Sequence, residues 1–190
     1  IRIGILLLTM AFAVTSHAAK KSKKSKPTVA VLYFDYAGND PDMAILKKGL
    51  ANMLITDLVE VDGLQVVERA RLQELLGELK LNKTKTIDRR KAVEIGKMAG
   101  ALYIVMGHYL LFGEKLLIEA RLLNTSTSVY VGKFKARVKG HADDFFELQQ
   151  GLSEQLQEKL VETLPTLASF KNRRLIARLK RRVNEGSRQI

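Results

Sequence analysis

ALYIVMGHYLLF, residues 101–112, is the most apolar stretch of the chain outside the first nineteen residues. A continuous apolar run of this length, rich in branched and aromatic residues, predicts the central strand of a sheet. Gly100 stands directly before the run and predicts the end of a helix at that point. We expect the segments on either side to supply the neighbours of this strand.

Two further strands are predicted directly downstream. Gly113 and Glu114 predict a tight turn into a strand over residues 115–124, and residues 125–127 turn the chain into a strand over residues 128–139. The last strand alternates between its two faces, with Tyr130, Phe134, Ala136 and Val138 predicted on one and Lys133, Lys135 and Arg137 on the other. Three strands joined by short turns predict an antiparallel meander.

A parallel unit is predicted upstream of the central strand. Residues 28–36 contain the run VAVLYF, which has the composition of a strand buried on both faces. Asp40 can cap the helix predicted over residues 42–61, and Pro41 suits its first turn. A short strand over residues 64–67 follows. A strand, helix and strand in this order predict a right-handed parallel connection.

Three more helices complete the predicted domain. They cover residues 68–81, residues 88–99 and a long segment that ends near residue 164 and would be capped by Asp143 or Asp144. The predicted fold class is α/β, with a single domain over residues 28–165. Its mixed five-stranded sheet follows the order β-α-β-α-α-β-β-β-α and is packed by helices.

The N-terminal residues have the composition of an export signal. Arg2 precedes an apolar run over residues 3–14, and Ser16 and Ala18 suit the positions before a cleavage site. Residues 1–18 are therefore predicted to form a signal peptide cleaved after Ala18, and the alternative is a buried N-terminal helix. The run is shorter than the roughly 20 apolar residues of a membrane-spanning helix. Residues 19–27 form a basic linker that we expect to be disordered.

Charge and cysteine content narrow the classes of function. The net charge is +12, but the excess lies in residues 20–26 and 171–190, and the body between them is close to neutral. Basic arms of this kind are usually solvated or bind an anionic surface. The sequence contains no cysteine, which excludes disulfides, thiolate metal sites and a cysteine nucleophile.

The sequence contains no recognisable catalytic or metal-binding pattern. His108 and His141 have no ligand spacing, and the glycines form no phosphate-binding loop. Asp35 follows the first strand, where a carboxylate can lie at the rim of a parallel sheet; the alternative, which we favour, is that it binds loop amides. We therefore predict a protein that is not an enzyme, with no catalytic residues, no metal and no cofactor.

Three segments resemble a known family. They are VAVLYFDYAG (residues 29–38), LQVVERARLQELLGELKL (residues 64–81) and IGKMAGALYIVMGHY (residues 95–109). They resemble the CsgG-like superfamily, which includes the curli assembly protein CsgG, the flagellar protein FlgO, the lipoprotein activators of penicillin-binding proteins and the N-terminal domain of TolB. The second segment is the most specific, because a Val-Val-Glu-Arg strand end runs into a Leu-rich helix. The resemblance covers about residues 28–164.

The resemblance implies a non-enzymatic, periplasmic protein of the bacterial envelope, in a family often associated with the outer membrane. Such a protein would support the assembly or secretion of a surface structure, in curli, flagellar or peptidoglycan systems, through other envelope proteins. Some members form rings, so homo-oligomers are among the implied partners. Glu68 and Arg69 begin the Leu-rich helix and would contribute to an interface with a partner or second subunit. The alternative is a surface ion pair or an ordinary helix start.

The sequence departs from the members of the superfamily that form secretion channels. No cysteine stands at the predicted cleavage site, so we expect a protein that is not lipidated. Three sheet strands occupy residues 101–139, which leaves no segment for channel hairpins, and residues 124–128 replace the usual Asp-x-x-Thr-Gly turn. These departures favour a soluble periplasmic member.

The C-terminal residues 166–190 are predicted to form a basic amphipathic helix or tail. Its cations surround Leu175, Ile176 and Leu179. They are Arg173, Arg174, Arg178, Lys180, Arg181 and Arg182. Such a helix can lie on an anionic membrane surface or lipopolysaccharide, or dock on a partner; the alternative is a solvated tail. A membrane-surface or polyanion-binding protein is therefore the second functional hypothesis, and no nucleic acid is expected because the arms lack stacking aromatic residues.

Overall fold

The computed structural model describes residues 26–81, 86–168, 170, 172 and 177. The predicted signal peptide and nearly all of the predicted linker lie outside these residues, as do the six cations predicted in the C-terminal arm. The strands are β1 (Thr28–Val31), β2 (Asp35–Tyr36), β3 (Gln65–Val66), β4 (Tyr103–Phe112), β5 (Lys115–Asn124) and β6 (Val129–His141). The helices are α1 (Pro41–Ala44), α2 (Leu46–Leu58), α3 (Arg69–Glu78), α4 (Arg89–Met98), α5 (Phe145–Thr163) and α6 (Pro165–Ala168).

One mixed sheet organises these elements, and this confirms the predicted α/β class. Its strand order is β3-β1-β4-β5-β6, and β2 also pairs with β4. Strand β1 runs parallel to β3 and β4, whereas β4, β5 and β6 form the predicted antiparallel meander. The apolar run over residues 101–112 therefore contains β4, the strand that joins the parallel half of the sheet to the antiparallel half.

The predicted first strand is present as two short strands, β1 and β2, on the same side of β4. The intervening residues stay close to β4, because the Leu32 amide donates to the Val105 carbonyl at 3.0 Å and the Ala37 amide donates to the Tyr109 carbonyl at 2.9 Å. The sheet thus has six strand segments along the five predicted strand positions.

Alternate side chains of the strands enter two separate apolar cores. Val31, Val105 and Leu122 belong to the core that the sheet shares with α2 and α5. Ala30, Ile104 and Leu123 belong to the smaller core under α3 and α4. This division follows from the strand geometry, since successive side chains point to opposite faces.

The predicted alternation in β6 is wrong at Tyr130. The β5–β6 register shifts between Arg121, which pairs with Lys135, and Leu123, which pairs with Tyr130. The extra residues on β6 move Tyr130 to the core under α3 and α4, while Phe134 remains in the core under α2 and α5. A regular period of two cannot continue through such an irregularity.

Helix and turn signals are mostly confirmed. The Asp40 carboxylate accepts from the Asp42 amide at 2.9 Å, with Pro41 in the first helical turn. Gly113 adopts a φ of 57° in the β4–β5 turn, which favours glycine. The cap predicted for α5 is wrong, because Asp144 makes no capping hydrogen bond and a short 3₁₀ turn over Ala142–Asp144 precedes the helix.

Residues just beyond α6 pack on the body of the domain. Leu167 is buried, and the Phe170 ring lies against Gly63. Asn172 is 2% exposed, accepts from the Asp62 amide at 3.1 Å and donates to the Asp62 carbonyl at 2.9 Å. The start of the segment predicted as a C-terminal arm is therefore attached to the turn after α2. Within the described residues, no helix combines the length and apolar character needed to span a membrane.

Replacing Gly107 tests the packing of the central strand. A Cβ at this position would overlap the Phe34 ring and the backbone oxygen of Glu119. Gly107→Ala should therefore lower the free energy of unfolding by about 1–3 kcal/mol, measured by urea denaturation. Gly132→Ala is the control, because nothing lies within 4 Å of a Cβ added there; it should change stability by less than about 0.5 kcal/mol. Equal stabilities of the two variants would contradict this packing.

Candidate functional site

The first candidate site is a cluster at the carboxyl end of β1, formed by Tyr33, Lys48, Arg69 and Gln73, which we call the rim cluster. The Arg69 guanidinium carbon lies 3.7 Å from the centre of the Tyr33 ring, and Lys48 Nζ lies 5.8 Å from it. Gln73 Nε2 donates to the Tyr33 hydroxyl at 3.4 Å. The sequence singled out Arg69 but gave no sign of its cation–π contact with Tyr33.

Burial dominates the electrostatics of Arg69. Its Nη1 and Nη2 atoms are buried and have no hydrogen-bond partner among the described residues. Desolvation lowers the pKa of Arg69 to about 10. Glu68 is exposed and precedes α3 without capping it, and the described residues show no ion pair between Glu68 and Arg69. The predicted role of both residues in an interface stays a prediction.

Asp35 lies at the predicted rim, in β2, where it pairs in register with His108 of β4. Burial raises the pKa of Asp35, and the charges of Lys47 and His108 oppose that shift. No loop amide in the described part of the chain donates to its carboxylate, so the interpretation that it binds loop amides is wrong.

The second candidate site is the part of the sheet that α3 and α4 leave uncovered, which we call the open face. It comprises alternate residues of β4, β5 and β6, and none of the described helices packs over it. The residues are His108, Leu110, Phe112, Lys115, Leu117, Glu119, Arg121, Lys135, Arg137, Lys139 and His141. Five lysines and arginines and one glutamate make this surface strongly basic.

The strand register sets the arrangement of the open face. Leu117 of β5 lies between Leu110 of β4 and Lys139 of β6. Glu119 lies opposite Arg137 in the next row. Because directly opposed side chains are about 5 Å apart, an apolar patch is bordered by cations within one side-chain length.

Glu119 holds two of the cations in place. It is 7% exposed and accepts from Lys135 Nζ at 2.9 Å and from Arg137 Nη2 at 2.7 Å. Burial alone would raise the pKa of Glu119, but the hydrogen bonds and charges of Lys135 and Arg137 outweigh it, so the pKa lies below its usual value. The carboxylate is therefore ionised at neutral pH and orients both basic side chains.

An apolar recess of about 290 Å³ opens on this surface. It is lined by Leu110, Phe112, Lys115, Leu117, Arg137 and Lys139. Phe112 is 83% exposed at its border, and Leu110 and Leu117 are half-buried. Exposed aromatic and aliphatic groups among cations are typical of an interaction surface.

Comparison with known proteins identifies the family. A family model described as "Curli production assembly/transport component CsgG" matches residues 11–121, more than half of the chain. The chain belongs to the CsgG family. This confirms the resemblance derived from the three sequence segments. The match includes the rim cluster, all of β4 and most of β5. It ends before β6, so the basic residues of β6 lie beyond it.

Individual relatives of this CsgG-family chain are distant. A putative adenylate cyclase 3 from Rhizobium meliloti (strain 1021) is 28% identical over 125 residues, which cover 66% of this chain and 19% of that protein. The C-terminal domain of LpoB from Salmonella enterica is 14% identical with a TM-score of 0.49, covering 64% of this chain and 87% of the domain. Lipoprotein GNA1162 from Neisseria meningitidis is 12% identical with a TM-score of 0.49, covering 60% and 79%.

Only part of the open face could be predicted from the sequence. The prediction that Lys135 and Arg137 lie opposite the apolar side of β6 is confirmed. The same prediction for Lys133 concerns a side chain that lies outside the described part of the structure. Leu110 and Leu117 were missed, because a continuous apolar strand does not show which residues lie beyond the helices. The lysines and arginines of β5 and β6 were the available signal. His108 lies on this face, in register with Asp35 of β2 and Glu119 of β5. His141 contacts Glu114 and Asp143 at 3.3 Å each. The residues described contain no group of three or more acidic or histidine side chains suited to a metal ion.

Neutralising Glu119 should destabilise the domain and loosen the open face. Glu119→Gln removes the charge that pairs with Lys135 and Arg137, so we expect a loss of about 1–2 kcal/mol in the free energy of unfolding at pH 7. Because the pKa of Glu119 is lower in the folded state, its contribution is present above about pH 4.5 and disappears as the pH falls through the folded-state pKa. Urea denaturation from pH 3 to pH 7 should show the two proteins converging at low pH. A constant difference across this range would contradict the role of the charge.

Replacing Arg69 tests whether its buried guanidinium lowers the free energy of unfolding of the chain on its own. Arg69→Met keeps an apolar stem against Tyr33 and removes a buried charge that has no hydrogen-bond partner among the described residues. We therefore expect about 1 kcal/mol of stabilisation. Arg71→Met is the control, since Arg71 is exposed and pairs with Glu74 at 3.1 Å; its effect should stay below about 0.5 kcal/mol. A clear loss of stability in Arg69→Met alone would show that the cation–π contact outweighs the burial cost.

Proposed function

We propose that this CsgG-family chain is a non-enzymatic protein of the bacterial envelope that supports the assembly or secretion of a surface structure. It acts by binding other proteins, in a curli, flagellar or peptidoglycan-associated system. The observation that carries the proposal is the family match over residues 11–121, whose description is a production, assembly and transport component. The open face supports it, because an uncovered apolar and basic surface on a folded domain suits contact with a partner.

The proposed location is the periplasm, with association at the outer membrane. It is supported by Arg2, the apolar run over residues 3–14 and the small residues Ser16 and Ala18, which together have the features of a cleaved signal peptide. The absence of cysteine is compatible with an oxidising compartment, since no thiol is present to react there.

Export can be measured directly in the source bacterium. The full chain should be released by osmotic shock, and N-terminal sequencing should give a mature form that starts at Ala19. Deleting the gene should reduce the amount of an assembled surface structure, and expression of the wild-type chain should restore it. Recovery of the protein only from the cytoplasm with an uncleaved N-terminus would overturn the proposed location. Unchanged curli, flagella and peptidoglycan in the deletion strain would overturn the proposed role.

We also propose that the chain catalyses no turnover of small molecules. One curated relative is called a putative adenylate cyclase, but this chain spans only 19% of its length. Incubation of the purified chain with ATP and Mg²⁺ should therefore yield no cyclic AMP above a heat-denatured control. If cyclic AMP does form, the Asp35→Asn variant would show whether the carboxylate at the rim takes part.

The second candidate function is binding to an anionic membrane surface or polyanion through the basic arms. The observation that favours it is the concentration of cations in residues 20–26 and 171–190. A suitable test replaces Arg173, Arg174, Arg178, Lys180, Arg181 and Arg182 by glutamine, because these changes leave the buried Asn172 in place. Loss of co-sedimentation with phosphatidylglycerol vesicles would support this function, and unchanged binding would reject it.

A further inference from the structure

The open face holds cations that the described part of the chain does not neutralise. Lys135 and Arg137 share Glu119. Lys115 and Lys139 form no ion pair with any described residue, although both border the recess. The Arg121 guanidinium carbon lies 4.1 Å from the centre of the Tyr130 ring, and Arg121 forms no ion pair with a described carboxylate. The surface is thus complementary to a ligand with several negative charges.

The recess implies that a ligand of the open face carries an apolar group as well as negative charges. Its volume of about 290 Å³ is at the lower limit of sites for drug-sized ligands, which begin at about 300 Å³. It suits one aromatic or branched aliphatic side chain. Leu110 and Leu117 line it together with Lys115 and Lys139. A side chain inserted there would therefore lie next to both cations.

The free edge of β6 is less suited to a partner than the face. The Gln155 side chain donates to the Arg137 carbonyl at 3.0 Å and accepts from the Arg137 amide at 3.0 Å. These two bonds use the backbone groups that an added strand would need at the middle of β6. A partner is therefore expected to lie across the side chains of the open face.

The chemistry of this surface selects among possible occupants. The terminal segments of this chain, residues 20–26 and 171–190, are themselves basic and would be repelled. An anionic membrane would match the charge, but a flat lipid surface has no side chain to place in the recess. A second copy of the chain would bring a body that is close to neutral. An acidic polypeptide with an apolar side chain meets both requirements.

We propose that the open face binds an acidic segment of a partner protein, with one aromatic or aliphatic side chain of that segment in the recess and its carboxylates on Lys115 and Lys139. Arg137 contributes from the same border, in the orientation that Glu119 gives it. This inference rests on the proposed function, because it names the surface and the chemistry of the partner through which the protein would act.

The test is a titration of the full, ¹⁵N-labelled chain with the unlabelled peptide Asp-Glu-Phe-Glu-Asp, blocked at both ends. Amide shifts should change at residues that line the recess, including Leu110, Leu117 and Lys139, and should stay unchanged in α4. The double variant Lys115→Glu/Lys139→Glu should weaken binding by about tenfold or more. The control Lys91→Glu/Lys97→Glu makes the same change of charge at exposed positions of α4 and should retain wild-type affinity within about twofold.

Two further ligands show whether binding depends on a side chain inserted in the recess or on charge alone. A peptide with Ser in place of Phe should bind at least several-fold more weakly, and phosphatidylglycerol vesicles should not reproduce the pattern of shifts. Equal binding of the Ser peptide, equal binding by the Lys115→Glu/Lys139→Glu variant, or shifts caused by vesicles and not by the peptide would each overturn the inference. Absence of any peptide-induced shift at the recess would overturn it as well.

The inference and the proposed function can fail separately. If the deletion strain loses a surface structure and the Lys115→Glu/Lys139→Glu variant restores it as well as wild type does, the proposed function stands and the inference fails. If the peptide binds in the recess but the native protein remains in the cytoplasm, the binding surface stands and the proposed function fails.

Discussion

The structure depends on the hydrogen bonding of β4 along both of its edges. Parallel strands β1 and β2 pair with one edge, and the antiparallel strand β5 pairs with the other over the whole length from Tyr103 to Phe112. Every unpaired backbone group in a buried strand would be costly, so these neighbours are required once β4 is buried. Tyr109 extends this connection to the helices, because its hydroxyl donates to the Met43 carbonyl at 2.6 Å and its ring stacks on Tyr36.

The open face follows from a difference in length between strands and helices. Helices α3 and α4 contain 10 residues each, so each is about 15 Å long. Strands β4 and β5 also contain 10 residues but extend about 33 Å, and β6 is longer still at 13 residues. The helices therefore cover Ile104 and Leu123 at one end of the sheet and cannot cover the other end. On the opposite side, the 19 residues of α5 cover the meander, where burial includes Phe134 and Ala136.

The charged side chains also differ between the end of the sheet near α3 and α4 and the open face. At the rim cluster, Arg69 is half-buried on Tyr33 and has no hydrogen-bonding partner for its outer nitrogens among the described residues. On the open face, Glu119 orients Lys135 and Arg137, and Lys115 and Lys139 form no ion pair with any described residue. The family match covers the first region and stops within the second, at residue 121. The rim cluster therefore lies within the matched residues, and β6 lies beyond them.

Local sequence determined the type and order of the main elements. The apolar run over residues 101–112, the turn at Gly113 and the start signal at Asp40 and Pro41 each act through backbone conformation or burial within a few residues, so the α/β class and the meander could be predicted. Only the tertiary structure decided the position of Tyr130, because the register shift in β6 is set by pairing with β5. It also decided the open face, since Leu110 and Leu117 meet Lys139 through cross-strand register and remain accessible only because α3 and α4 end before them. Contacts between residues far apart in the chain depend on how long elements pack, and periodicity within one segment carries no information about that packing.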